Sequence, residues 1–138
     1  MRPPVWPKFP AAANYGDLYK AMPERAETAC RLGYRLLGAE LSDLGILANC
    51  APVGDLGQVD THDSIGDRAF GKTPSSVVDL AIAALSGLSE AGVAGCIKHM
   101  PGQGRASVDS LHDLPRINAS LEALEQDFGV FAALSAHS

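Results

Sequence analysis

Two short, mostly apolar runs constrain the fold of this chain more than any other feature: ILANCAP at residues 46–52 and VAGCIKH at 93–99. Each is too short for a core helix and reads as a buried strand. Each leads into a long polar loop and then into a helical pattern. Strands that alternate with helices imply an α/β architecture with parallel strands. Parallel strands need both faces covered and both edges paired. Two of them cannot close such a sheet. The expected fold is therefore about two βα units from a larger α/β domain.

The helices announce themselves by their ends. Pro23 suits a first turn, and Glu24 and Glu27 favour the positive end of the helix dipole. Ala29, Leu32, Leu36, Leu37 and Leu41 follow at helical spacing, and Gly45 is the expected stop. A second helix starts at Thr73-Pro74, carries Val77, Val78, Leu80, Ala81, Ala84, Leu85 and Leu88, and stops at Gly92. A third starts near Ser120, with Leu121, Leu124, Phe128 and Phe131 on one face. Residues 1–22 are Pro-rich, hold the single Trp6, and read as an irregular lead-in.

Composition narrows the function. The 138 residues suit one ordinary domain, and 46% hydrophobic with 20% charged residues makes it globular. Net charge is −5 with no basic stripe, which argues against nucleic acid as a partner. No apolar run approaches a membrane span, and no leader-like apolar segment opens the chain. A cytoplasmic protein with no membrane partner is expected. Cys30, Cys50 and Cys96 are scattered and include no CxxC pair, so they read as reduced, buried thiols.

Two loops carry the chemistry. In 51–71, Asp55 lies just past a strand end, and IGDRAFG sets Asp67 and Arg68 between glycines. In the second loop, Lys98 and His99 stand at the other strand end. Active sites of α/β barrels lie at this end of the strands. Asp55, Arg68, Lys98 and His99 together offer donors and acceptors suited to a neutral, hydroxyl-rich ligand. The alternative is a set of loop salt bridges and caps. PGQGRAS lacks both the GKS ending of a phosphate loop and the full GxGxxG spacing. His62, between Asp60 and Asp63, has no second histidine nearby and reads as a solvated loop, so neither a metal nor another cofactor is expected.

The motifs LGILANCAPVGD, IGDRAFG, AGVAGCIKHMPGQGRASVDS and the Leu114-Pro115 pair resemble the family 3 glycoside hydrolases, nearest to their bacterial β-N-acetylhexosaminidase branch of cell-wall (peptidoglycan) recycling. The resemblance runs from about residue 3 to 134. It implies a (β/α)8 TIM barrel, of which residues 23–138 would be a partial N-terminal barrel domain. It implies a saccharide partner, with Asp55, Arg68, Lys98 and His99 binding a terminal N-acetylglucosamine. It also implies retaining hydrolysis, in which a histidine held by Asp109 is the general acid/base and a later aspartate is the nucleophile. A histidine titrates near operating pH, as leaving-group protonation requires. The dyad is a variant of the usual pair of carboxylates.

Three departures qualify the resemblance. Leu111 stands where the family has the acid/base histidine, and leucine transfers no proton. His112, one residue on, is the candidate substitute. One base separates a leucine codon from a histidine codon. Gln103 replaces a common histidine, a change expected to alter loop hydrogen bonds and not the reaction class. Finally, the family barrel needs roughly 300 residues or more, and the nucleophile falls outside these 138. This stretch is expected to be inactive alone and to fold poorly alone. The alternative reading is a sugar-binding pseudoenzyme remnant.

Overall fold

A computed structural model describes residues 5–137. The element order is α1 (Ala12–Ala21), α2 (Pro23–Asp43), β1 (Ala48–Asn49), a 3-10 turn (Gly66–Arg68), α3 (Pro74–Glu90), β2 (Ala94–Gly95) and α4 (Leu121–Ser135). β1 and β2 pair in parallel with Ala48 opposite Ala94 and Asn49 opposite Gly95, and Val53 bridges Lys98 beyond them. The expected order and strand direction hold.

The helix boundaries follow the expected signals. Pro23 and Pro74 stand in the first turns of α2 and α3, and the Ser120 hydroxyl accepts from the Ala123 N–H at 3.2 Å to cap α4. Gly45 and Gly92 sit just past α2 and α3 with φ of +75° and +76°, a conformation a side chain would strain.

The irregular lead-in is corrected: residues 12–21 are a helix. Its sequence, AANYGDLYKA, shows no clear apolar stripe, so periodicity does not reveal it. Asn14 caps it by accepting from the Ala11 N–H at 3.0 Å. Packing holds it. Tyr15 is buried, and Gly16 lies so close to the Phe70 carbonyl that a Cβ would stand 1.5 Å from that oxygen.

α2 and α3 cross at close range because small residues line the contact. Ala26, Cys30 and Gly38 are buried on α2, and Gly87 of α3 abuts the Arg31 carbonyl. Leu32 and Leu36, expected on the buried face, are 43% and 64% exposed instead. The face that packs is the small-residue face, since it admits the closer approach. α3 buries Val77, Leu80, Ala81, Ala84 and Leu88 as its pattern predicts. Fully burying a residue such as Leu80 is worth about 1.5–3 kcal/mol. On α4 the buried residues are Asp127, Val130, Phe131 and Leu134, whereas Leu121 is 68% and Phe128 39% exposed. Tyr15, Tyr34 and Phe70 form a ring cluster with centroids 6.2–6.4 Å apart, tilted as aromatic pairs prefer.

The two strands are shorter and barer than expected. Ile46 and Leu47 are 42% and 66% exposed. α3 lies against β2, where Gly95 meets Leu85 and Leu88, while Ala48 and Ala94 are exposed. Cys50 and Cys96 are exposed, which corrects the expectation of three buried thiols; of the three, Cys30 alone is buried. No helix among the described residues is long and apolar enough to cross a membrane.

Candidate functional site

The loops after β1 and β2 form one body. The Gly54 N–H donates to the Lys98 carbonyl at 2.7 Å, and the Thr61 hydroxyl donates to the Gly104 carbonyl at 2.7 Å. Gly104 approaches the Leu56 carbonyl so closely that a Cβ would stand 1.9 Å from its oxygen. Only glycine allows that approach.

Asp55 lies at the centre of this joint and is fully buried. Its Oδ2 is 2.6 Å from Nδ1 of His99, and its Oδ1 accepts from the Gln103 N–H at 2.7 Å and more weakly from the His99 N–H at 3.4 Å. A buried carboxylate is tolerable only when bonded in this way. The bond assigns the proton of neutral His99 to Nδ1 and leaves Nε2 as the free ring nitrogen. The Gln103 contact uses the backbone N–H, which a histidine there would supply equally.

His99 is 29% exposed and lines a cleft of about 420 Å³ that it shares with Gln103, Ser110 and Pro115. Lys98 lines a second cleft of about 230 Å³ together with Asp67, Arg68 and Tyr34. Arg68 is exposed, and its guanidinium donates to the Ser64 carbonyl, which turns it along its own loop. The strand ends thus bring together His99 with Asp55, and Lys98 with Arg68.

The acid/base candidates lie apart from these groups. Asp109 Oδ1 accepts from the Leu111 N–H at 3.0 Å, while its carbonyl accepts from the His112 and Asp113 N–H groups. The side chain therefore closes its own turn. Leu111 is 85% exposed at the turn's tip, and His112 is exposed beside it. Of residues 109–112, only Ser110 lines the His99 cleft.

His62 bonds Ser64 through Nδ1 at 2.9 Å, as a loop residue would. No cluster of metal-ligating side chains occurs among the described residues. Sequence reasoning gave no role to Thr61, Arg105 or Asp127. Arg105 Nε stands 2.6 Å from Asp127 Oδ2, and its Nη2 donates to the Ala123 carbonyl at 3.1 Å. The signal available was an arginine among glycines and an aspartate on an otherwise apolar helix face. A cavity of about 720 Å³ lies beside β2 and is lined mainly by apolar residues.

Residues 9–134 match the glycosyl hydrolase family 3 N-terminal domain. The chain is 40% identical to a β-hexosaminidase of Thioalkalivibrio sulfidiphilus (strain HL-EbGR7) over 108 residues, covering 78% of this chain and 31% of that relative. A β-hexosaminidase of Neisseria meningitidis serogroup C (strain 053442) is 37% identical over 130 residues, covering 93% and 36%. The chain thus spans about a third of the length of the curated relatives it matches. The structure of NagZ from Neisseria gonorrhoeae in complex with N-trifluoroacetyl-D-glucosamine superposes with a TM-score of 0.86 at 36% identity, covering 95% of this chain and 38% of that one.

Proposed function

Since the chain belongs to the glycosyl hydrolase family 3 N-terminal domain family, we propose that it forms the sugar-binding part of a retaining β-N-acetylhexosaminidase acting on terminal N-acetylglucosamine of cell-wall-derived saccharides. The observation that carries this reading is the Asp55–His99 pair at a parallel strand end, with Lys98 and Arg68 lining the neighbouring cleft. The N-acylated glucosamine bound to the Neisseria gonorrhoeae relative supports the sugar class. We read the whole as a fragment of a (β/α)8 barrel, with its two loops at the functional end.

Within this reading the residues divide the work. His99, Lys98 and Arg68 bond the sugar hydroxyls and acetamido oxygen. Asp55 acts through His99, because its own carboxylate is buried and bonded. Asp109 is the partner of the acid/base side chain. At position 111 that side chain is leucine, so proton transfer falls to His112 or is lost.

The test is hydrolysis of an alkyl β-N-acetylglucosaminide by a complete family 3 barrel that carries these residues together with a nucleophile, with Leu111 and with Leu111→His. An alkoxide leaving group needs protonation, and general acid catalysis is typically worth about 10²–10⁴-fold. A gain of about that size is expected from Leu111→His. A chain that binds N-acetylglucosamine but gains no turnover from Leu111→His is a sugar binder. A chain that neither binds nor cleaves refutes the proposal.

A further inference from the structure

The turn at Pro101–Ala106 is gripped by two buried carboxylates from different elements. From the β1 side, Asp55 accepts from the Gln103 N–H at 2.7 Å. From the α4 side, Asp127 is 3% exposed and takes Arg105 Nε at 2.6 Å. Arg105 also reaches the Ala123 carbonyl on the preceding turn of α4, so its guanidinium is fixed at two points. Gly102 lies flat against Asp127: with φ of +134°, a Cβ there would stand 2.8 Å from the Asp127 Cβ. The second oxygen of Asp127, Oδ1, is buried without a hydrogen-bond partner among the described residues. A buried acidic oxygen left unpaired is costly. An apolar residue would pack α4 without that cost, so packing alone does not account for an acid there.

We propose that Asp127 is a positioning residue for the site: through Arg105 and Gly102 it sets the turn whose Gln103 N–H locks Asp55, and so fixes the orientation and tautomer of His99. The route is short and continuous. Asp127 holds Arg105; Arg105 lies two residues after Gln103; Gln103 and His99 share the Asp55 carboxylate. If the turn drifts, Oδ1 of Asp55 loses its strongest donor, and the carboxylate is free to swing away from the imidazole. The proposal concerns the site assigned above, but its mechanical part stands whether or not the ligand is a sugar.

The experiment reads His99 directly. In the full chain labelled with 15N-histidine, nuclear magnetic resonance reports the His99 tautomer and the solvent exchange of its Nδ1–H. Asp127→Asn keeps the shape and removes the charge. The expected result is loss of the fixed Nδ1–H tautomer or exchange about tenfold faster or more, since a local opening sets that rate. Arg105→Lys keeps the charge but not the two-point hold, and should give a smaller change of the same kind. Glu125→Gln, on the exposed side of α4, should change nothing. A parallel titration with N-acetylglucosamine separates the two ideas: a shifted His99 signal supports the positioning role whatever the sugar result. An unchanged His99 signal in a folded Asp127→Asn protein, even one of lowered melting temperature, overturns it. Should Asp127→Asn not fold, Arg105→Lys decides in its place: a changed His99 signal supports the role, and an unchanged one overturns it.

Discussion

Oδ2 of Asp55 and Nδ1 of His99 stand 2.6 Å apart, although 44 residues separate them in sequence. The contact welds the exits of two neighbouring parallel strands. Asp55, which the motif presents as a ligand contact, commits this carboxylate oxygen to the ring of His99. Charge-assisted bonds of this kind are among the stronger ones in a folded chain.

Replacing Asp55 by Asn should therefore act on both stability and binding. The amide keeps the volume but offers one acceptor oxygen to the donors of His99 and Gln103. A loss of about 1–3 kcal/mol is expected in a denaturation experiment. Sugar affinity should fall at least about tenfold, as expected for residues coupled in one hydrogen-bonded network. Unchanged affinity in a folded Asp55→Asn protein would remove Asp55 from the site.

Two glycines on helices should respond to alanine with opposite signs. At Gly87 of α3 a Cβ would stand 2.1 Å from the Arg31 carbonyl oxygen, so α2 and α3 must separate. Gly87→Ala should lower stability by about 1–3 kcal/mol, the usual range for overpacking. At Gly129 of α4 a Cβ meets nothing within 4 Å. Gly129→Ala should raise stability by about 0.5–1 kcal/mol, from helix propensity and a less flexible unfolded chain. Thermal melts of the two variants decide this.

The three cysteines should separate by reactivity. Burial pushes the Cys30 thiol up to about 12, and its Sγ lies 3.4 Å from the Leu80 carbonyl. The thiolate is the reactive form, so the buried Cys30 is held in its unreactive thiol form. Cys50 and Cys96 are exposed. A thiol-specific reagent should titrate two groups in the native protein and three after denaturation. Raising the pH should not expose Cys30 before the fold opens.

The open faces predict how the 138-residue polypeptide behaves when produced by itself. Leu36, Leu47 and Leu121 are each more than 60% exposed, and the strand edges are unpaired. Such edges and patches drive association. Light scattering should show self-association that grows with concentration; a stable, monodisperse monomer would contradict it.

The helices and the strand order were legible because their signals are local. Pro23, Thr73-Pro74 and Ser120 start helices by their own stereochemistry, and Gly45 and Gly92 end them. α1 was not legible, because its Gly16 is fitted to the backbone of Phe70, which lies 54 residues away. The buried face of α2 was misjudged for a related reason: leucines mark apolarity, but close helix packing follows the small residues. In the site, Lys98, His99 and Arg68 stood out as polar groups at strand ends. The burial of Asp55 and the Arg105–Asp127 pair did not, since both depend on contacts across 22 to 48 residues.

The most direct measurement is a calorimetric titration of the full chain with N-acetylglucosamine, repeated on Arg68→Ala and Lys98→Ala. Saturable heat is expected for the unaltered chain, and its loss in both variants, with their melting temperatures kept. No heat at millimolar sugar, or binding that survives both substitutions, would contradict the assignment of this site to the sugar.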